Sequence, residues 1–228
     1  MKLSESPIIK VCGMRDAENI REVEALHPDW MGFIFWPKSR RYVSSRPAYL
    51  PTKCKRVGVF VDEDIEQVRR IADDYALDII QLHGSESPEQ IAHLSSLTSL
   101  IKVKATSSIT HLSIIKAFNI ATEDDLKATK AYEGIADYFL FDTKGKSVGG
   151  NGEKFDWSVL DTYEGSTPFL LSGGIGPDDA ECVKDFLISR PSPLTSKCIG
   201  IDLNSRFETA PALKDINKLR EFIKEIRL

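Results

Sequence analysis

The sequence predicts an α/β fold, a closed (β/α)8 TIM barrel forming one domain across residues 1–228, and three observations carry that expectation. Short apolar runs alternate with helix-period stretches along the whole chain. The runs number eight. Charged, thiol and glycine residues gather where the runs end. The runs are residues 8–11, 30–35, 57–61, 79–82, 100–103, 138–141, 169–171 and 198–201. Most are apolar nearly throughout, as parallel strands covered on both faces must be.

The segments between them supply the helices. After the third run, Ile65, Val68, Ile71, Ala72 and Tyr75 recur at helical spacing. After the fourth, Ser87-Pro88-Glu89-Gln90 offers an N-cap, a proline at the first helical position and a capping-box glutamine. After the seventh, Pro177 opens a helix in which Ala180, Val183, Phe186 and Leu187 share a face. After the eighth, Ile216, Leu219, Phe222, Ile223 and Ile226 form the clearest apolar stripe in the chain. Two stretches fit less well: residues 44–52, which hold Pro47 and Pro51, and the long interval 104–136. An open doubly wound sheet shares this alternation, but its first turn wants Gly-x-Gly-x-x-Gly, and Cys12-Gly13-Met14-Arg15 does not supply it.

With 42% hydrophobic and 28% charged residues, the chain has ample material for one core. A net charge of −4 gives no footprint for nucleic acid or an anionic membrane. No stretch approaches the roughly 20 apolar residues of a membrane span, and the N-terminal residues do not read as a signal peptide. A cytoplasmic location is therefore expected. Cys12, Cys54, Cys182 and Cys198 are scattered, which favours free thiols over disulfides. His27, His83, His93 and His111 show no metal-ligand spacing, so no metal is expected.

Barrel active sites lie at the C-terminal ends of the strands. Those positions hold Cys12, the 36–41 loop, Asp62, His83, Lys104, Asp142, Ser172-Gly173-Gly174 and Asp202. The segment Ser172-Gly173-Gly174-Ile175-Gly176-Pro177 leads from a strand into a helix, where free backbone N–H groups suit a phosphate; a plain tight turn is the other reading. Cys12 reads either as a small buried hydrophobe or as a thiolate base whose pKa must be brought down by positive charge. Asp142 is an acid candidate or a turn cap. Residues 145–152 are glycine-rich without the Gly-Lys-Ser/Thr of a P-loop, and read as a lid. Lys38-Ser39-Arg40-Arg41 is either a solvated basic turn or a guanidinium offered to a carboxylate.

Taken in order, Lys10-Val11-Cys12-Gly13-Met14, Trp36-Pro37-Lys38-Ser39-Arg40-Arg41-Tyr42, Val57-Gly58-Val59-Phe60, Gln81-Leu82-His83-Gly84, Phe141-Asp142-Thr143-Lys144, Gly149-Gly150-Asn151-Gly152 and the residues 171–174 resemble the phosphoribosylanthranilate isomerases of tryptophan biosynthesis. The resemblance runs from about residue 8 to the C-terminus. It implies an Amadori rearrangement of an aminoaldose phosphate to an aminoketose phosphate, with no metal or organic cofactor. It implies Cys12 as general base, Asp142 as general acid, and Arg41 on the anthranilate carboxylate. Gln81, His83 and Asp202 would line the pocket, and Gly173, Gly174, Asn204 and Ser205 would hold phosphate. The expected ligand is a small phosphosugar, and the expected assembly a monomer or homodimer. One departure stands out: the family usually reads Asp-Val-Ser-Ser-Gly-Val-Glu after strand eight, whereas this chain has Arg206 at the glycine position of Asp202-Leu203-Asn204-Ser205-Arg206-Phe207-Glu208. Two rivals remain: a related barrel aldose–ketose isomerase, and a phosphosugar-binding barrel without turnover.

Overall fold

The computed structural model describes residues 6–98, 112–143, 156–188 and 197–227. Eight parallel strands close into a barrel in sequential order: β1 (Ile8–Val11), β2 (Trp30–Ile34), β3 (Lys55–Phe60), β4 (Ile79–Leu82), β5 (Ser113–Ile120), β6 (Tyr138–Thr143), β7 (Phe169–Leu171) and β8 (Cys198–Leu203). β8 pairs with β1, Lys10 standing opposite Asp202, which completes the circle.

The fifth strand corrects the sequence reading. It was expected at 100–103, a segment outside the described residues, and it is Ser113–Ile120, paired with both β4 and β6. Lys104 therefore does not mark the end of that strand. A lysine in mid-strand, Lys116, disguises this segment; its side chain is 3% exposed because Glu86 meets it at 3.1 Å. The expectation of an interstrand helix after β2 also fails, since Pro47 and Pro51 interrupt the connection and turns fill it.

Helices α1 (Ala17–Glu24), α2 (Ile65–Tyr75), α3 (Pro88–Thr98), α4 (Glu123–Leu126), α5 (Ala180–Ile188) and α6 (Ile216–Ile226) surround the barrel. Asp16, Asp64 and Asp215 cap α1, α2 and α6 by accepting hydrogen bonds from backbone N–H groups one turn on. Strand alternation then divides the core in two. Outward residues such as Ile9, Phe33, Phe60, Phe139 and Ile201 pack beneath the helices. Inward residues Trp30, Val57, Ile79, Leu140 and Leu170 fill the lower barrel. Above that apolar plug the inward positions turn polar: Lys10, Gln81, Asp142, Ser172 and Asp202, all buried. After β8, a short antiparallel hairpin of β9 (Glu208–Ala210) and β10 (Leu213–Lys214) leads into α6. Among the described residues no helix is long and apolar enough to cross a membrane.

Candidate active site

Parity puts the chemistry at one end. Cys12 lies two residues beyond Lys10 on the inner face of β1, and its N–H donates to Leu203 O at 2.9 Å, continuing the ladder. Its sulfur presses against β2, where a Cβ added at Gly32 would lie 2.7 Å from Sγ. Only a glycine leaves that room. Asp142 emerges from β6, with β7 and β8 between it and β1, so base and acid candidates face one another across the mouth.

Cys12 is 3% exposed. Burial pushes its thiol up, and Lys10 and Lys214 act against that push while Asp202 adds to it; the net direction is upward. The cations expected of a thiolate site are present, but burial outweighs them in the unliganded protein. Burial likewise pulls the Lys10 ammonium down, yet Asp202 and Cys12 carry it above the ordinary lysine value. Lys10 Nζ donates to Asp202 Oδ1 at 2.8 Å, and Ser172 Oγ donates to Asp202 Oδ2 at 3.4 Å.

Across the mouth, Asp142 accepts from its neighbour Thr143 N at 2.9 Å, and its Oδ2 lies 3.5 Å from His83 Nε2. Gln81 Nε2 meets His83 Nδ1 at 3.1 Å, so the side chain on β4 and the one that follows it share a contact beside Asp142. Gln81 Oε1, His83 Nε2 and Thr143 Oγ1 are buried without a hydrogen-bond partner. Three orphaned buried polar atoms at one end of the barrel are costly unless a polar ligand satisfies them.

Arg41 does not stand alone. Its Nε and Nη2 donate to Glu208 Oε1 and Oε2 at 2.8 and 2.6 Å, a two-pronged pair reaching from the 36–41 loop to the hairpin. Lys214, its side chain fully buried, donates to the same Glu208 at 2.6 Å and to Asn204 Oδ1 at 2.9 Å. Burial would raise Glu208, but Arg41 and Lys214 hold its carboxyl below the usual range. Burial lowers the Lys214 ammonium, although Glu208 opposes it. Two cations thus share one carboxylate, leaving this cluster of Arg41, Lys214 and Glu208 with one excess positive charge.

The loop after β7 carries Gly173 and Gly174 at φ 89° and 71°, the left-handed region. A Cβ at Gly173 would also meet Thr143 Oγ1 at 2.2 Å. Asn204 turns its side chain to Lys214 rather than to this loop, and Ser205 opens the 3-10 turn Ser205–Phe207. Arg206 sits in that turn without a left-handed φ, so the backbone does not require the glycine usual there. Its Cβ lies 3.5 Å from the place a Cβ at Gly176 would occupy, bringing the loops after β7 and β8 together. Asp62 is diverted to structure: its carboxylate accepts Ser85 N and Oγ at 2.6 and 2.8 Å. The glycine-rich stretch 145–152, read as a lid, lies outside the described residues. Among the described residues no group of three His, Cys, Asp or Glu side chains could hold a metal ion.

Sequence reasoning missed Lys10, Lys214, Glu208 and Thr143. Lys10 could have been found, because a lone lysine inside an apolar run shares Cys12's parity. The hairpin around Glu208 and Lys214 is too short to show a period.

Fold and mouth together define a class: a closed β/α barrel that gathers a buried thiol, a carboxyl, buried lysines and a glycine turn at the C-terminal ends of its strands. The family model of N-(5'-phosphoribosyl)anthranilate (PRA) isomerase matches residues 9–225, and the chain belongs to that family. It is 49% identical over 220 residues to the N-(5'-phosphoribosyl)anthranilate isomerase of Phocaeicola vulgatus, covering 96% of this chain and 98% of that one. The crystal structure of phosphoribosyl anthranilate isomerase from Thermotoga maritima superposes with a TM-score of 0.74 at 28% identity, covering 96% and 97%. Another solved isomerase, in complex with reduced 1-(o-carboxyphenylamino)-1-deoxyribulose 5-phosphate, matches with a TM-score of 0.71 at 26% identity, covering 96% and 97%.

Proposed function

We propose that Cys12 and Asp142 divide between them the proton transfers of the family's reaction, the Amadori rearrangement of N-(5-phosphoribosyl)anthranilate to 1-(2-carboxyphenylamino)-1-deoxyribulose 5-phosphate. The chain is an isomerase of tryptophan biosynthesis. One observation carries the assignment of roles: a thiol and a carboxyl face each other across a mouth whose buried polar atoms lack partners on the carboxyl's side.

The chemistry follows from that arrangement. A protonated Asp142 donates to the ribose ring oxygen, and the C1–O bond breaks to leave an iminium at C1. The Cys12 thiolate then takes the proton from C2, and the electrons of that C–H bond flow into the iminium, giving an enol that tautomerises to the ketone. The iminium is the electron sink. Each positioned proton transfer contributes about 10²–10⁴-fold.

Binding divides by charge. The excess positive charge of Arg41 and Lys214 receives the anthranilate carboxylate, through the Arg41 Nη1 edge that Glu208 leaves open. Gln81 Oε1, His83 Nε2 and Thr143 Oγ1 are the partners for sugar hydroxyls, with Asp202 behind them. Phosphate sits on the N–H groups of Gly173 and Gly174 and of Ser205, with Asn204 braced by Lys214 beneath it.

The test is turnover of freshly generated phosphoribosylanthranilate, followed by loss of its fluorescence, with Cys12→Ala alongside. Rapid loss with the parent chain and none above background with the variant is the expected result. Near-parental turnover of Cys12→Ala would remove Cys12 from the mechanism.

A further inference from the structure

The interior of the barrel holds a charge that stability does not explain. Lys10 is fully buried, directly above a layer made of Trp30, Val57, Ile79, Leu140 and Leu170. An ammonium in such a place needs a partner, and Asp202 supplies one at 2.8 Å. A buried ion pair of this kind is weak evidence for stability, because well-packed apolar residues of similar volume often do as well. What an apolar pair could not do is face Cys12. Lys10 and Cys12 are two residues apart on one strand, hence on one face, and the positive charge of the ammonium favours a thiolate at Cys12. On the neighbouring strand, Gly32 leaves the room that the sulfur occupies on that face.

We propose that Lys10, anchored by Asp202, is the positioning residue that makes Cys12 usable as a base, by holding the thiolate at the point where it must accept the substrate's proton. The proposal rests on the reading of Cys12 as base, but its test does not depend on turnover. The charged groups around the sulfur are Lys10 from β1, Asp202 from β8 and Lys214 from the hairpin, with Arg41 and Glu208 behind Lys214. Lys10 is the one that shares a strand face with the sulfur. When Cys12 takes the proton from carbon it becomes a neutral thiol, and the Lys10–Asp202 pair beneath it remains electrically balanced.

The experiment is titration of the Cys12 thiolate by its ultraviolet absorbance, as the difference between parent and Cys12→Ser, repeated in a Lys10→Met background. The difference is needed because three other thiols absorb; those of Cys54 and Cys198 are pushed up to about 12 by burial. In Lys10→Met the Cys12 titration is expected to move up by about one pH unit or more, tenfold in thiolate population. The turnover number should fall by about the same factor while KM stays put. A folded Lys10→Met with an unmoved Cys12 titration overturns the proposal, whatever its activity. If Asp202 left unpaired prevents folding, the double variant Lys10→Met/Asp202→Asn, compared with Asp202→Asn alone, gives the same reading: an upward shift supports it, no shift overturns it. Failure of the Cys12 assignment would look different, as full turnover in Cys12→Ala with the Lys10 effect on the thiol intact.

Discussion

The two ends of the barrel treat polar groups in opposite ways. At the floor, where strands begin, five carboxylates accept hydrogen bonds from the protein itself. Asp29, Asp78 and Asp137 stand just before β2, β4 and β6, and each accepts the backbone N–H at or near the start of the preceding strand: Ile9, Arg56 and Ile114, at 2.8, 2.8 and 2.7 Å. Glu24 accepts from the Tyr49 hydroxyl and from Thr52 and Lys53 N–H, tying α1 to the approach to β3. Glu133 accepts from Tyr163, Ser166 and Thr167, including two backbone N–H groups at 3.1 Å. At the mouth, Gln81 Oε1, His83 Nε2 and Thr143 Oγ1 have no partner, two cations share Glu208, and a buried thiol lies beside a buried ammonium. The floor uses its polar groups to close strands together; the mouth keeps some of its own for a ligand, and gives up stability to do so.

That contrast is breakable. The largest effect should come from Cys12→Ala: turnover down by at least about 10²–10⁴-fold with an unchanged denaturation midpoint, because a proton transfer is lost and only a small side chain. Asp142→Asn should match it, since an amide cannot cycle a proton; retained activity would point to another acid. A large loss of stability in either would blur the division of labour. Arg41→Met should come next, weakening substrate binding by about 2–5 kcal/mol if the carboxylate is paired out of water, read as a raised KM. An unchanged KM would place the carboxylate elsewhere. A floor substitution should invert the pattern. Glu133→Ala should cost roughly 1.5–3 kcal/mol in denaturant unfolding with kcat intact, since it strips hydrogen bonds to a charged group. A collapse of kcat in the folded variant would show the two ends to be coupled.

The smallest and broadest effect is that of pH. Burial alone would raise Glu24 and Glu133, but their hydrogen bonds outweigh it and hold both carboxyls below the usual value. A depressed carboxylate contributes stability that is present above its unfolded value and lost as pH falls through the folded one, so acid should loosen the floor. The Cys12 thiol is displaced upward, so its thiolate fraction should keep growing past the ordinary thiol range near about 8.5, read as the ultraviolet absorbance that Cys12→Ser removes. A stability curve flat through the carboxylate range, or a Cys12 thiolate absorbance that levels off below the ordinary thiol range, would remove the contrast.

Much of the molecule was legible before any fold was seen. Seven of the eight strands lie where apolar runs predicted them, because a strand covered on both faces leaves a local signature. The strand-end rule placed Cys12, Asp142, His83, Asp202 and the glycines at 173 and 174 at the mouth, since chain order alone says which end of a parallel strand each follows. It also picked Asp62, which is tied to Ser85, and Lys104. What the sequence could not decide were the positions whose meaning depends on a distant partner. Lys116 makes β5 read as less than a strand until Glu86, 30 residues away, neutralises it. Lys10 is a lone charge in an apolar run until Asp202, 192 residues along, closes the barrel beside it. Arg41 meets Glu208 only because the last hairpin folds back over the first loops. Local composition determined the strands and the end at which chemistry collects; closure of the barrel decided which charges are paired there, because Coulomb energy depends on distance in space and the chain's order does not encode it.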